Sequence, residues 1–331
     1  MATGKKSGPA VASSVPGSGQ KPMPLSHIDS SVENRISLNN GEVDRILGGG
    51  LVEGSLVLIG GEPGIGKSTL SLQIPLHCSH LKTLYVTGEE SAKQVKLRAA
   101  RIGGDCSNCL IYSETLMENV IAEARALLPD LMIVDSVQTM YSQSVESSPG
   151  SVTQIKETAA MLLRFAKETG VPVILIGHIT KEGSIAGPKI LEHIVDVVLQ
   201  FEGDNRGTYR LLRSIKNRFG STSELAVFEM TGKGLREVSN PSEMLIPMHE
   251  EGLSGVAVSA MLDGTRPFLI EVQALVSSAV ALCPAKIPRR LTAPLPIWLV
   301  TLLASSSTFI SSSGARFSLV TRSVSPNRYL S

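Results

Sequence analysis

Gly61-Glu62-Pro63-Gly64-Ile65-Gly66-Lys67-Ser68, followed by Thr69, is the stretch on which the fold turns. It matches the phosphate-loop pattern of two glycines five residues apart followed by Lys and Ser. It also stands in the context that pattern needs, between the apolar run Leu56-Val57-Leu58-Ile59 and a segment of helical spacing at 68–77. Glycines let backbone N–H groups curl around a phosphate. Lys67 can neutralise the β and γ phosphates, and the Ser68 hydroxyl can bind Mg²⁺. Residues 61–69 are therefore expected to bind ATP, with Ser68 on the metal.

Outward from the loop, three more short apolar runs end in Gly, Thr or Asp: Leu84-Tyr85-Val86, Leu131-Met132-Ile133-Val134 and Val173-Ile174-Leu175-Ile176. Such runs read as strands buried on both faces. Helical spacing separates them at 92–101, 117–128 and 153–169. The alternation predicts an α/β fold, a mostly parallel central sheet flanked by helices. Beyond it, 209–215 and 225–230 alternate as antiparallel strands that would extend the sheet. Residues 34–240 are the expected ATPase domain.

The chain's 331 residues carry 31 basic and 30 acidic side chains, a net charge of +1, so no global field draws it to nucleic acid or to an anionic membrane. Any DNA contact has to come from local patches. Cys78, Cys106, Cys109 and Cys283 are too few and too unevenly spaced for a disulfide framework, which suits a reducing, intracellular compartment. Cys106 and Cys109 have CxxC spacing without a second pair or a histidine cluster, so zinc is not expected. No secretory signal is evident, and the apolar stretch 297–304 is far shorter than the ~20 residues of a membrane helix, so a soluble chain with no membrane partner is expected.

Residues 1–33, rich in Gly, Ser and Pro, read as a disordered leader. Residues 255–276 read as two strands joined at Asp263-Gly264, a hairpin signal. After Glu271 no acid appears in the remaining sixty residues, and two serine triplets lie there, so 278–331 is expected to be a disordered or out-of-frame tail.

Several titratable residues fall at the carboxyl ends of the expected strands. Asp135 closes the run 131–134, where a carboxylate can hold Mg²⁺ through water; the alternative is a strand-ending turn aspartate. Glu89 and Glu90 follow 84–86, and either could activate water or simply favour a helix start; Glu89 is the preferred catalytic candidate. His178 closes 173–177 and could sense the γ-phosphate, or be structural. Residues 138–151 and 181–189 should project from the same sheet edge, and Lys181 and Lys189 could pair with DNA phosphates or be solvated. Lys216 and Arg218 have no acidic neighbour between Asn205 and Thr222 and read as an unpaired basic pair at a strand end.

These residues resemble the RadA/Sms family of bacterial DNA-repair ATPases, also found in plant organelles. The resemblance rests on 61–68, on Val86-Thr87-Gly88-Glu89-Glu90-Ser91, on Gly177-His178-Ile179-Thr180-Lys181-Glu182-Gly183, and above all on Lys216-Asn217-Arg218-Phe219-Gly220. It covers about residues 34–277. It implies a RecA-like ATPase core in a homo-hexameric ring that binds single-stranded or branched DNA, promotes branch migration and works with a RecA-type recombinase. Lys67, Ser68 and Asp135 would hold ATP and Mg²⁺, Glu89 would be the catalytic carboxylate, and Lys216 and Arg218 would reach the neighbouring subunit's nucleotide. The family's opening four-cysteine zinc finger has no counterpart before Gly41. Its closing Lon-protease-like domain is only begun, at 241–277. The resemblance places the intact protein in the bacterial cytoplasm or in a plastid or mitochondrial matrix. Two other readings remain at this point: a RecA-like ATPase that switches protein partners, and a shortened, assembly-defective product.

Overall fold

A computed structural model of the chain describes residues 24, 34–178, 191–203, 207–242, 246, 256–277 and 316–320. The chain divides into two compact units, 1–239 and 240–331. The first opens with a small antiparallel pair, β1 (Arg35–Ile36) and β2 (Leu51–Val52), around helix α1 (Gly41–Leu47). Its main sheet then alternates with helices: β3 (Leu56–Gly61), α2 (Lys67–His77), β4 (Thr83–Thr87), α3 (Ala92–Ile102), β5 (Cys109–Ser113), α4 (Met117–Leu127), β6 (Leu131–Asp135), α5 (Val152–Thr169) and β7 (Val173–His178). Four more strands follow: β8 (Val197–Glu202), β9 (Tyr209–Asn217), β10 (Leu225–Thr231) and β11 (Gly234–Glu237).

The nine strands lie in the order β11-β10-β9-β8-β3-β7-β6-β4-β5. The pairings from β8 to β5 are parallel, and β9, β10 and β11 extend the sheet antiparallel beyond β8. Alternate residues along each central strand enter two different cores, as a period of two requires. Val57 and Ile59, Ile133, and Ile174 and Ile176 pack with α1, α2 and α3 through Ile46, Leu70, Leu72 and Val95. Leu56 and Leu58, Met132 and Val134, and Val173 and Leu175 pack with α4 and α5 through Val120, Ile155, Leu162 and Phe165. Burial on both faces explains why these strands read as unbroken apolar runs. This is the mostly parallel, helix-flanked architecture the sequence predicts. Three helix starts carry side-chain caps: Asn40 for α1, which the sequence reading did not predict, Ser91 with a full capping box for α3, and Ser151 for α5.

In the second unit, β12 (Val256–Asp263) and β13 (Arg266–Ser277) form the expected hairpin, with Asp263 opposite Arg266. Gly264, at φ 63°, supplies the positive φ that the two-residue turn needs. A further strand, β14 (Arg316–Val320), pairs antiparallel with 273–277, inside the stretch expected to lack structure.

The basic pair Lys216 and Arg218 is not unpaired. The Arg218 guanidinium lies 3.1 Å from Asp196, a residue 22 positions away that precedes β8. Asp196 is 1% exposed, and its other oxygen accepts from Lys167 Nζ at 2.9 Å and from the Leu56 backbone N–H at 3.1 Å. One carboxylate thus ties the starts of β3 and β8 to α5 and to the turn after β9. A search limited to sequence neighbours could not find it. Asp196→Ala should destabilise the protein by about 2 kcal/mol, because the buried Leu56 N–H loses its charged acceptor while both cations can turn back to water. Urea denaturation checks this; an unchanged midpoint would mean the three contacts contribute nothing net.

Candidate nucleotide site

The loop 61–66 leaves β3 and enters α2 through Gly66, which sits at φ 118° with no side-chain cap. No acid occupies the first turn of α2, whereas α1 and α4 carry Glu42, Asp44 and Glu118 in theirs. An uncapped helix start, with free N–H groups and the positive end of the macrodipole, suits an anion. Gly64, at φ 76°, has nothing within 4 Å of where a Cβ would sit, so the space beside that residue is open.

Lys67 is 3% exposed, and its amine donates to the carbonyls of Gly61 and Glu62, each at 2.9 Å. Burial lowers its pKa to about 8, with the charges of Asp135 and Glu89 partly opposing that shift. The register explains how those carboxylates come near. β3 pairs with β7 so that Gly61 is level with His178, and β4 pairs with β6 so that Thr87 is level with Asp135. The carboxyl ends of four parallel strands therefore gather Lys67, Asp135, Glu89 and His178 at one edge, outside the strand ends where open α/β sheets bind ligands.

Asp135 is 6% exposed. Its Oδ2 accepts from the Tyr85 hydroxyl at 2.8 Å, while its Oδ1 is buried with no hydrogen-bond partner. Burial and the neighbouring Asp135 hold the Tyr85 hydroxyl well above its usual pKa, so it stays a donor. A buried carboxylate oxygen with no partner among the described residues is the donor a hydrated Mg²⁺ would use. Mg²⁺ keeps several waters and takes few protein ligands, so Ser68 at the start of α2 together with Asp135 fits it.

Glu89 and Glu90 part company. Glu90 forms an ion pair with Arg98 of α3, and its backbone is fastened to the Thr87 hydroxyl by two contacts of 3.1 Å. Glu89 turns the other way, accepting from the Ser136 hydroxyl and lying 3.1 Å from His178 Nε2. Burial pushes the Glu89 carboxyl up, but the Ser136 and His178 hydrogen bonds and the Lys67 charge outweigh it and hold the pKa below its ordinary value. Glu89 is thereby kept ionised. Gly88, just before it, is obligatory: a Cβ there would lie 2.2 Å from Thr139 Oγ1.

Ser136 escaped the sequence reading, and Gln138 entered it only as the first residue of the loop 138–151. Gln138 Nε2 donates to the His178 carbonyl at 3.2 Å, so the segment after β6 and the end of β7 are joined. Gln138 Oε1 and His178 Nδ1 join Asp135 Oδ1 as buried polar atoms without partners, all at this edge. Loop 138–151 is anchored from below by Gln154, whose amide binds the backbone of Ser142, Val145 and Ser147. Lys181 and Lys189 lie outside the described residues.

Lys216 and Arg218 are not brought to this site. β9 runs antiparallel to β8, so its start is level with the carboxyl edge and its end, at Asn217 opposite Val197, lies toward the opposite one. A bulge at Ile215, between the Val198–Lys216 and Leu199–Ser214 pairings, shifts the alternation. Lys216 thereby leaves the face of Leu212 and Ser214, and its amine binds the carbonyls of Glu192 and Val195, the latter at 2.8 Å.

Residues 22–184 match the AAA domain family. The DNA repair protein RadA of Bacillus subtilis is 51% identical over 260 residues, 78% of this chain and 57% of that protein. RadA of Escherichia coli is 50% identical over 264 residues, 80% of this chain and 57% of its own length. The chain thus spans somewhat over half the length of these relatives. A KaiC-like protein from Pyrococcus horikoshii superimposes with a TM-score of 0.52 over 62% of this chain and all of that one, at 22% identity, which shows a shared RecA-like fold. With about half its residues identical over about four fifths of its length, the chain belongs to the RadA family of DNA repair proteins.

Proposed function

We propose that the protein is a DNA-dependent ATPase that works as a ring on single-stranded or branched DNA during recombinational repair, where it promotes branch migration. The observation that carries this reading is the division of the site between two edges of one sheet. Lys67, Asp135 and Glu89 face one edge, while Lys216 and Arg218 stand toward the other. A basic pair so placed can serve a nucleotide only in a neighbouring copy, which ties hydrolysis to assembly.

In this reading the loop N–H groups and Lys67 cradle the triphosphate, the amine exchanging its two loop carbonyls for phosphate oxygens. Bound Mg²⁺, held by Ser68 and through water by Asp135, would neutralise charge between the β and γ phosphates. Glu89, ionised and aimed by Ser136, orients and accepts a proton from the attacking water. His178 reports the γ-phosphate to the following segment through its contact with Glu89 and through Gln138 to loop 138–151. Lys181 and Lys189 would supply DNA contacts to phosphate, and Lys216 and Arg218 the charge given in trans.

Turnover of ATP measured with and without single-stranded DNA should rise several-fold with DNA. No stimulation would favour a RecA-like ATPase that switches protein partners. The Lys67 pKa of about 8 sets a second expectation. Below that pH the amine carries its charge in the nucleotide-free protein, and above it the charge is lost. Mg-ATP affinity, followed with a fluorescent analogue, should therefore weaken as pH rises from 7 to 9. A flat profile would contradict a buried lysine on the phosphates. The third expectation concerns mixed rings of Lys67→Ala and Lys216→Ala. Each variant alone should hydrolyse poorly, and the mixture should recover part of the activity, because an intact Lys67 on one subunit can meet an intact Lys216 on the next. No recovery in rings shown to be mixed would place Lys216 in its own subunit's chemistry or outside it.

A further inference from the structure

A phosphate loop functions only if its peptide N–H groups point inward, and a peptide unit is planar, so its carbonyl must then point outward. For most residues sterics settle which way the plane faces. Gly66 is different, because at φ 118° it lacks the Cβ that would make the alternatives costly. The peptide joining Ile65 to Gly66 therefore needs an outside constraint. β9 supplies one from behind the loop: Arg210 Nε donates to the Ile65 carbonyl at 3.1 Å.

We infer that Arg210 is a positioning residue for nucleotide binding, which holds the Ile65 carbonyl outward and so aims the Gly66 N–H into the phosphate cradle. Arg210 is 4% exposed, and its Nη1 also donates to the carbonyls of Gly207 and Tyr209, so the guanidinium is itself fixed at the head of β9. Its burial needs a reason, since a buried cation is retained only where its donors are used. The adjoining strands close in on the same loop from the same side. A Cβ at Gly66 would lie 2.9 Å from Met230 Cε, and one at Gly61 would lie 2.9 Å from Phe201 Cβ. Gln73 of α2 grips Leu235 through both its backbone N–H and its carbonyl, at 2.8 and 2.9 Å. The antiparallel extension is thus the backing plate of the loop, and Arg210 is its polar contact with the peptide that must not turn. Arginine suits the task because its rigid fork spans several carbonyls at once, which the single ammonium of lysine does not.

This inference rests on the reading that the loop binds nucleotide, and its test separates the two. Arg210→Gln and Arg210→Lys in the full chain would be assayed for Mg-ATP analogue binding, for steady-state hydrolysis, and for Tm with and without Mg-ATP. Losing one charge-assisted contact on the loop should raise Kd and KM by about tenfold in Arg210→Gln, with kcat at saturation changed much less, and should shrink the nucleotide-induced rise in Tm. Arg210→Lys should fall between. A merely structural arginine would lower Tm in both states and leave Kd and the induced rise as they were. Kd within twofold of the parent protein in either folded variant overturns the inference. If neither variant folds, the parent protein crystallised with Mg-ADP decides it: Arg210 on the Ile65 carbonyl with the Gly66 N–H on phosphate supports the role, and Arg210 withdrawn from that carbonyl overturns it. Absence of analogue binding by the parent protein would instead remove the nucleotide reading itself.

Discussion

An ammonium group buried to 3% exposure beside two carboxylates, with backbone carbonyls as its hydrogen-bond acceptors, is the constraint around which the core is arranged. Desolvation works against the Lys67 charge, and the charges of Asp135 and Glu89 partly offset it. Those two residues lie on β6 and beyond β4, far along the chain from the loop. They can reach Lys67 only if β3, β7, β6 and β4 run parallel and in register, ending at one edge. Parallel strands in turn require crossovers, and those connections are the helices that fill the two apolar cores.

The same edge shows how the parts are linked. Ser136 joins the end of β6 to Glu89, Glu89 meets His178, and Gln138 returns from the segment after β6 to the His178 carbonyl. These hydrogen bonds close a circuit through the ends of β4, β6 and β7. A carboxylate in such a circuit is held in one orientation by groups that also belong to the roots of the following loops. β9 joins the two halves of the site in another way. Its first residues lie behind the loop at Arg210, and its last carry Lys216 and Asn217 toward the opposite edge.

Much of this was legible before the structure. Buried parallel strands announce themselves as apolar runs because both faces are covered, so β3, β4, β6 and β7 were found, with Asp135 and His178 at their ends. Helices α2 to α5 were found within a residue or two by their spacing, whereas the seven-residue α1 was not. β5, Cys109–Ser113, was missed because it is an edge strand with a mixed, half-exposed pattern, and β8 because Gln200 and Glu202 interrupt its apolar run. Glu89 and Glu90 could not be separated by position alone; Arg98, nearly two helical turns into α3, takes Glu90 and leaves Glu89 to the site. Arg210 gave no motif signal at all, since an arginine in an alternating strand reads as an outward residue until the loop is seen behind it.

The sequence by itself determined which backbone could cradle a phosphate, which strands must be buried, and which carboxylates and cations stand at strand ends, because these follow from local residue type and period. Tertiary structure decided everything that depends on partners distant in the chain. Asp196 pairs with Arg218, Lys167 and the Leu56 N–H; Ser136 orients Glu89; Arg210 holds the Ile65 carbonyl; and strand order sends Lys216 away from its own loop. Hydrogen bonds and desolvation act across a few ångströms of space whatever the separation in sequence, so such contacts exist only once the sheet has brought its strand ends together.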